Sequence, residues 1–357
     1  MPPWTHRIQV LMSDSRSINR CVAGPCSGLA GLFLALFVAL LCGLVEPARL
    51  RPQAPAPEST APQATPTLKV RTEVVNIYAV VRDKRRLIPN LNKEDFEVAE
   101  DGAVQEIRYF SRETDTPLTL GIMVDTSGSQ QNVLRVEQEQ ADAFVGQVLR
   151  PKDMAFVLHF DLEVELLQDL TNDKIRLTRG IDETVINAGA QGPTPGTFPT
   201  TNIGGTHLYD AVYLAANDVL KGEIGRKVLI LLTDGEDQGS KVKLDFALEA
   251  AQKSDVIIYA VDVVDREFYR FRSMGFSGDS VLKKLCGDTG GRVIRVDKPH
   301  EASAGFQEIA EELRTQYFLG YSPSNTRHDG TFRKIQVRVH GQDYKVQARH
   351  GYYAPSQ

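Results

Sequence analysis

The sequence predicts an α/β fold: a doubly wound, mostly parallel sheet inserted in a small β domain that is built from N- and C-terminal strands. Between residues 118 and 316, nearly continuous apolar runs alternate with segments of helical spacing. Such runs are typical of strands that are covered on both faces. The flanking segments, 68–117 and 317–357, show strand patterns but hold too few strands to stand alone. We therefore expect the flanking strands to pair with each other.

The N-terminal region predicts export from the cytoplasm. Residues 27–45 form an uncharged, mostly apolar segment that is long enough for one membrane-spanning helix. Arginines precede it in the segment 1–26, which is therefore expected to be cytoplasmic. An uncleaved signal anchor would hold the protein in the inner membrane, facing the periplasm or exterior. A cleaved signal peptide would release it by secretion, and both interpretations stay open. Residues 46–67 are rich in proline and predict an extended linker.

The small β domain is predicted from short strand patterns at both ends of the folded part. Before the α/β region, strands are expected over 70–81, 95–98 and 105–110, and Asp101-Gly102 is typical of a hairpin turn. After it, the tail predicts strands over 317–321, 332–339 and 344–348.

The α/β region is predicted as a run of alternating strands and helices, each from its apolar pattern. The expected strands are 118–124, 155–160, 228–232, 256–261 and 293–296. The expected helices lie around 133–148, 208–219, 244–251, 281–285 and 303–316. The segment 187–207, rich in glycine, proline and threonine, is predicted as a loop that ends at a helix start.

Oxygen-bearing side chains follow the strands of this region, where open α/β sheets bind ligands. Asp125, Ser127 and Ser129 follow the first strand, Asp234 follows the strand 228–232, and Thr206 ends the loop between them. Two carboxylates and three hydroxyls, without His or Cys, suit Mg²⁺ best, with Mn²⁺ or Ca²⁺ possible. The neutral hydroxyls would leave the ion able to accept a carboxylate from outside. Two interpretations of Asp161 stay open: it is an ordinary polar residue of its loop, or it lies at the rim of this site.

This residue set resembles the metal-ion-dependent adhesion site (MIDAS) of von Willebrand factor A (vWA) domains. Asp125-x-Ser127-x-Ser129, Thr206 and Asp234 fill all five positions of that motif. The surrounding segments resemble bacterial exported "VWFA-related" proteins over roughly 68–355, and this resemblance alone suggests a bacterial cell-envelope protein. It implies a Rossmann-like vWA domain over 118–316 in which the two serines ligate the metal directly. Thr206 would ligate directly or through water, and both aspartates largely through water. The implied partner is a protein that offers an Asp or Glu carboxylate.

The composition argues against two classes of protein, nucleic-acid-binding proteins and disulfide-rich domains. A net charge of −5 and an isoelectric point near 5.9 argue against nucleic-acid binding. Three of the 4 cysteines precede the folded part, so it cannot hold a disulfide framework, and Cys286 is predicted to be a buried, inert thiol.

Three functions stay open at this stage. The favoured one is a metal-dependent protein-binding module that is not an enzyme. The alternatives are a metal-assisted hydrolase, with Glu236 or Asp237 as its base, and a structural subunit whose metal stabilises the fold.

Overall fold

The computed structural model of the chain describes residues 73–112, 116–187, 205–263, 278–296, 302–341 and 343–356. These residues fall in one compact unit. The predicted cytoplasmic segment 1–26, membrane segment 27–45 and linker 46–67 lie outside the described residues and stay predictions. Within the described ranges, no helix is long and apolar enough to cross a membrane.

Strands make up most of the regular structure before and after the α/β region and alternate with helices inside it. The strands are β1 Val75–Asp83, β2 Arg86–Leu87, β3 Phe96–Glu100, β4 Ala103–Gln105, β5 Ile107–Arg112, β6 Leu118–Asp125, β7 Met154–Phe160, β8 Val164–Thr171, β9 Arg226–Leu232, β10 Val256–Val263, β11 Val293–Val296, β12 Tyr317–Tyr321, β13 Phe332–Val339, β14 Lys345–Gln347 and β15 Gly351–Tyr353. The α-helices are α1 Leu134–Val148, α2 Lys174–Asp182, α3 Leu208–Leu214, α4 Leu244–Lys253, α5 Gly278–Thr289 and α6 Ala302–Thr315. A π-helical turn, Ala215–Val219, extends α3.

The central sheet has the strand order β11-β10-β9-β6-β7-β8 and is parallel except for its edge strand β8. Every residue of β6 and β9 is buried. One apolar cluster joins the sheet to α1, α2 and α6, and a second joins its other face to α3, α4 and α5. Helices therefore cover both faces, and the continuous apolar runs of the sequence arise from this double cover.

The sequence analysis missed two consecutive elements, β8 and α2. β8 is a half-buried edge strand whose register with β7 shifts twice, so it lacks both a continuous apolar run and a regular alternation. α2 begins after Asp173, whose side chain accepts a hydrogen bond from the Ile175 amide at 3.0 Å. Asp is a favoured N-cap residue, so Asp173 could have predicted this helix start from the sequence.

The strands outside the α/β region form two antiparallel sheets. One has the order β14-β1-β12-β5, with β2 on β1, and the other has the order β15-β13-β3-β4. Each sheet thus combines strands from before and after the α/β region, around a shared apolar cluster. Whether this pair of sheets is a domain of its own stays a prediction.

The turn Asp101-Gly102 joins β3 to β4, with both residues at positive φ, so the predicted hairpin is confirmed. The strand expected over 105–110 is wrong in its bounds. The strand is interrupted at Glu106. β4 and β5 belong to different sheets, because β4 pairs with β3 and β5 pairs with β12.

The last turn of α6 is held by arginines from three other parts of the chain. Glu312, which is buried, forms ion pairs with Arg82 of β1 and with Arg292, whose Nε donates to Glu312 Oε1 at 2.6 Å. Arg226 of β9 donates to the Leu313 carbonyl at 2.6 Å. These contacts join α6 both to the central sheet and to the outer sheet of β1.

Candidate functional site

The carboxyl ends of β6 and β9 place the two predicted aspartates at one edge of the central sheet. β6 ends at Asp125, and Asp234 lies two residues after the end of β9. The two strands are parallel neighbours, with Val124 opposite Leu232. Both aspartates are buried, and they are close enough for the charge of Asp234 to raise the pKa of the Asp125 carboxyl.

Hydrogen bonds fix both carboxylate oxygens of Asp125. Its Oδ1 accepts from the Ser127 amide at 2.9 Å, and its Oδ2 accepts from the Thr233 hydroxyl at 2.6 Å. Thr233 Oγ1 in turn accepts from the Gly235 amide at 3.1 Å. Thr233 is completely buried and was not identified from the sequence, although its place beside Asp234 at a strand end was a usable signal.

The two predicted serines lie side by side after β6. Ser127 Oγ and Ser129 Oγ are 3.0 Å apart, so their hydroxyls converge on one point beside the ordered Asp125 carboxylate. Ser127 is buried and Ser129 is partly exposed. The pair is therefore more accessible to solvent at Ser129 than at Ser127.

Thr206 reaches the same edge through backbone pairing with the loop after β9. Its amide donates to the Gln238 carbonyl at 3.1 Å, and its carbonyl accepts from the Gln238 amide at 2.9 Å.

A tight turn follows β9 and holds Asp234, whose Oδ1 accepts from the Glu236 amide at 3.1 Å. Gly235 between them has φ +81°, and a Cβ there would lie 2.6 Å from the Gly278 carbonyl, so this turn needs glycine.

Several buried carboxyl groups lie at this edge. Burial, followed by the charge of Asp234, raises the pKa of Asp125 from 3.8 to about 7. Burial and the charges of both aspartates also raise the pKa of Glu137, in the first turn of α1, well above its usual value. Neither carboxylate oxygen of Glu137 has a hydrogen-bond partner within the described ranges. Buried carboxylates of this kind are stabilised by a cation.

The donor set fits a divalent cation that prefers oxygen. Within the described ranges, no group of three or more His, Cys, Asp or Glu could hold a metal, so a zinc-type cluster is not seen there. Hydroxyls and carboxylates together suit Mg²⁺ or Mn²⁺. The residues that would hold it are Asp125, Ser127, Ser129, Thr206 and Asp234. A bound ion would supply a positive charge with a position open to an external oxygen ligand.

Three further polar residues hydrogen-bond to each other beside the candidate ligands. Thr126, between Asp125 and Ser127, donates its hydroxyl to Asp161 Oδ2 at 2.8 Å, and Asn187 Nδ2 donates to Asp161 Oδ1 at 3.2 Å. Sequence reasoning left Asp161 open and did not identify Thr126 or Asn187. Asp161 follows the end of β7, so the rule that selected Asp125 also pointed to it.

A doubly wound α/β domain with hydroxyls and carboxylates at the carboxyl ends of its strands defines the class of this protein. The family model for the von Willebrand factor type A domain matches residues 120–311, more than half of the chain. The chain therefore belongs to the von Willebrand factor type A domain family, and the resemblance read from its motifs is confirmed. No curated protein matches the sequence.

Several solved structures are similar to this chain. Proximal thread matrix protein 1 from the mussel byssus, in a structure with a zinc-occupied MIDAS motif, is 17% identical with a TM-score of 0.46, covering 60% of this chain and 49% of that one. BatB from Bacteroides thetaiotaomicron is 18% identical with a TM-score of 0.41, covering 55% of this chain and 98% of that one. A von Willebrand factor type A protein from Catenulispora acidiphila is 11% identical with a TM-score of 0.44, covering 79% and 74%. The chain spans about half the length of the mussel protein.

Proposed function

We propose that this protein is a metal-dependent protein-binding module of the cell envelope. Its vWA domain would hold a divalent cation, Mg²⁺ by preference, at Asp125, Ser127, Ser129, Thr206 and Asp234. A partner protein would then donate an Asp or Glu carboxylate to the ion. The observation that carries the proposal is the pair of serine hydroxyls, 3.0 Å apart, beside a buried and hydrogen-bonded Asp125.

The ligand types favour binding over catalysis. Serine and threonine hydroxyls are neutral, so they leave a bound ion with more net positive charge than an all-carboxylate site would. Such an ion attracts an anionic oxygen from outside. A hydrolase would also need a free base near a metal-bound water. Asp237, one candidate base, already accepts hydrogen bonds from the Tyr209 amide at 3.1 Å and the Ser240 hydroxyl at 2.6 Å.

The proposal extends to the protein's location and architecture. The apolar segment 27–45 would either anchor the chain in the inner membrane, facing the periplasm or exterior, or be removed during secretion. The proline-rich residues 46–67 would hold the folded part away from the membrane. The two outer sheets would form a small β domain into which the vWA domain is inserted.

The metal site is tested by calorimetric titration of Mg²⁺ and Mn²⁺ into the full-length protein. We expect saturable binding that is lost in the Ser127→Ala/Ser129→Ala variant. Ser322→Ala/Ser324→Ala is the matched control, because these two serines share the same spacing and lie after β12 in the outer sheets. The control should bind as the wild type does. Equal affinity in all three proteins would overturn the proposed site.

The role of the partner carboxylate is tested on the Mn²⁺-loaded protein by water proton relaxation. A bound Mn²⁺ that keeps water ligands relaxes solvent protons strongly, and a carboxylate that replaces a water lowers this effect. We expect a peptide with one glutamate to lower the relaxation, and the same peptide with glutamine to leave it unchanged. Metal binding without any response to the glutamate peptide would favour a structural ion.

A further inference from the structure

Asp161 connects the separate loops that carry the candidate metal ligands. It directly follows β7 and is only 4% exposed. Both of its carboxylate oxygens accept hydrogen bonds, and so does its backbone carbonyl. A buried carboxylate with this many donors is fixed in position, because each lost bond would leave a desolvated polar group.

The side chain of Asp161 holds the loop that carries the two serines. Its Oδ2 accepts from the hydroxyl of Thr126, the residue between Asp125 and Ser127, at 2.8 Å. The Thr126 amide donates to the Phe160 carbonyl at 3.0 Å, so side chain and backbone of this residue are both tied to the end of β7. Asp161 Oδ1 accepts from Asn187, whose own amide donates to the Thr126 carbonyl at 2.9 Å.

The backbone of Asp161 holds the loop that carries Thr206. Its carbonyl accepts from the His207 amide at 2.7 Å. Gly205, on the other side of Thr206, lies so close that a Cβ there would be 2.6 Å from Leu162 Cδ2. Thr206 is thus flanked by two residues that pack against Asp161 and its neighbour.

We propose that Asp161 is a positioning residue, which holds the serine loop and the Thr206 loop at the spacing that a cation requires. This inference rests on the proposed function, since it concerns the same metal site. Asp161 acts through Thr126 and His207 and is not itself a ligand. Residues that orient metal ligands typically change metal affinity by about 10- to 100-fold when they are replaced.

The test is a Mn²⁺ titration of the full-length wild type and three variants, with thermal unfolding of each metal-free protein measured in parallel. Asp161→Ala removes every side-chain acceptor, and we expect its affinity for Mn²⁺ to fall at least about tenfold. Asp161→Asn keeps one acceptor oxygen, and its amide can donate to a rotated Thr126 hydroxyl, so we expect partial rescue of the affinity.

Asp153→Ala is the matched control for stability. Asp153 precedes β7 as Asp161 follows it, is also buried, and accepts from the Leu118 and Arg150 amides, both at 2.9 Å. It lies at the opposite end of the strand from the metal site. We expect Asp153→Ala to lower the unfolding temperature while the folded protein keeps wild-type affinity for Mn²⁺.

The outcomes separate the two proposals. Wild-type affinity in folded Asp161→Ala would overturn the positioning role alone, as would an equal loss of affinity in Asp153→Ala. No Mn²⁺ binding by the wild type would overturn the proposed function and the positioning role with it. Should Asp161→Ala fail to fold, Asp161→Asn and Thr126→Val carry the test, and unchanged affinity in both would overturn the role.

Discussion

At the scale of single residues, the Asp125 carboxyl is expected to make stability and metal affinity depend on pH. Its pKa lies near 7 because the group is buried and faces Asp234. A raised carboxyl pKa means that the folded, metal-free protein binds a proton more tightly than the unfolded chain does. The group's contribution to stability is therefore fully present below the unfolded pKa of 3.8 and is lost as pH rises through about 7.

A divalent cation competes with that proton, so metal affinity should rise with pH. We expect the Mn²⁺ affinity to increase up to about tenfold per pH unit below the pKa of Asp125 and to level off above it. Calorimetry at a series of pH values between about 5.5 and 8 measures this. An affinity that stays flat over this range would contradict the role of the Asp125 carboxylate.

Thr233 provides a second prediction at this scale. Its hydroxyl donates to Asp125 and accepts from the Gly235 amide, so Thr233→Val removes the contact that orients Asp125 Oδ2. We expect Mn²⁺ affinity to fall by about tenfold. Thr289→Val is the control, because this buried hydroxyl accepts from the Ile258 amide at 3.0 Å and donates to the Leu285 carbonyl at 2.7 Å, away from the predicted ligands. It should cost about 1–3 kcal/mol of stability and leave the affinity unchanged.

The candidate ligands could be predicted from the sequence because each lies within a few residues of a strand end, or ends a loop whose position the fold determines. The supporting residues could not be ranked in the same way. Thr126, Thr233 and Asn187 are common polar residues whose importance depends on distances between loops that are far apart in sequence. The conformation of the segment 188–204 lies outside the described residues.

At the scale of elements, α6 depends on one buried carboxylate. The Glu312 side chain is 1% exposed and pairs with Arg82 and Arg292, so Glu312→Ala would leave two arginines without their buried partner. We expect a loss of about 3–5 kcal/mol in the free energy of unfolding. Urea denaturation measures this loss.

Glu308→Ala is the matched control for α6. Glu308 lies on the same helix and also pairs with Arg292, but its side chain is 58% exposed. Exposed ion pairs contribute less than about 1 kcal/mol, so we expect only a small change. Similar losses in both variants would show that burial does not determine the contribution of Glu312.

Elements with a strong apolar signal were predicted closely, and this includes the edge strand β11, but β8 and α2 were not predicted. The expected helix 133–148 corresponds to α1, and the run 228–232 lies within β9. β8 and α2 were missed because an edge strand is half-exposed on both faces and a short helix has only two turns in which to show a pattern. The break between β4 and β5 was missed because a strand can change sheets without any interruption of its apolar pattern.

At the scale of the whole molecule, strands from the two ends of the folded part complete each other's sheets. β1 pairs with β12 and β3 pairs with β13. We expect a chain that ends at Thr315 to leave β1, β3 and β5 without the strands β12 and β13 that pair with them. Limited proteolysis should then cut Val75–Arg112 rapidly, while the intact chain resists. Equal protection of Val75–Arg112 in the shortened chain would contradict this expectation.

The pairing of first and last strands also sets an order of assembly. During synthesis, β1, β3 and β5 emerge long before β12 and β13, and the helices and parallel strands of the α/β region are complete in between. Contacts between such distant parts of a chain form slowly, and unpaired strands are prone to aggregate while they wait. The nascent chain therefore carries exposed apolar strand edges until β12 and β13 have emerged, and we expect it to be most prone to aggregation during this interval.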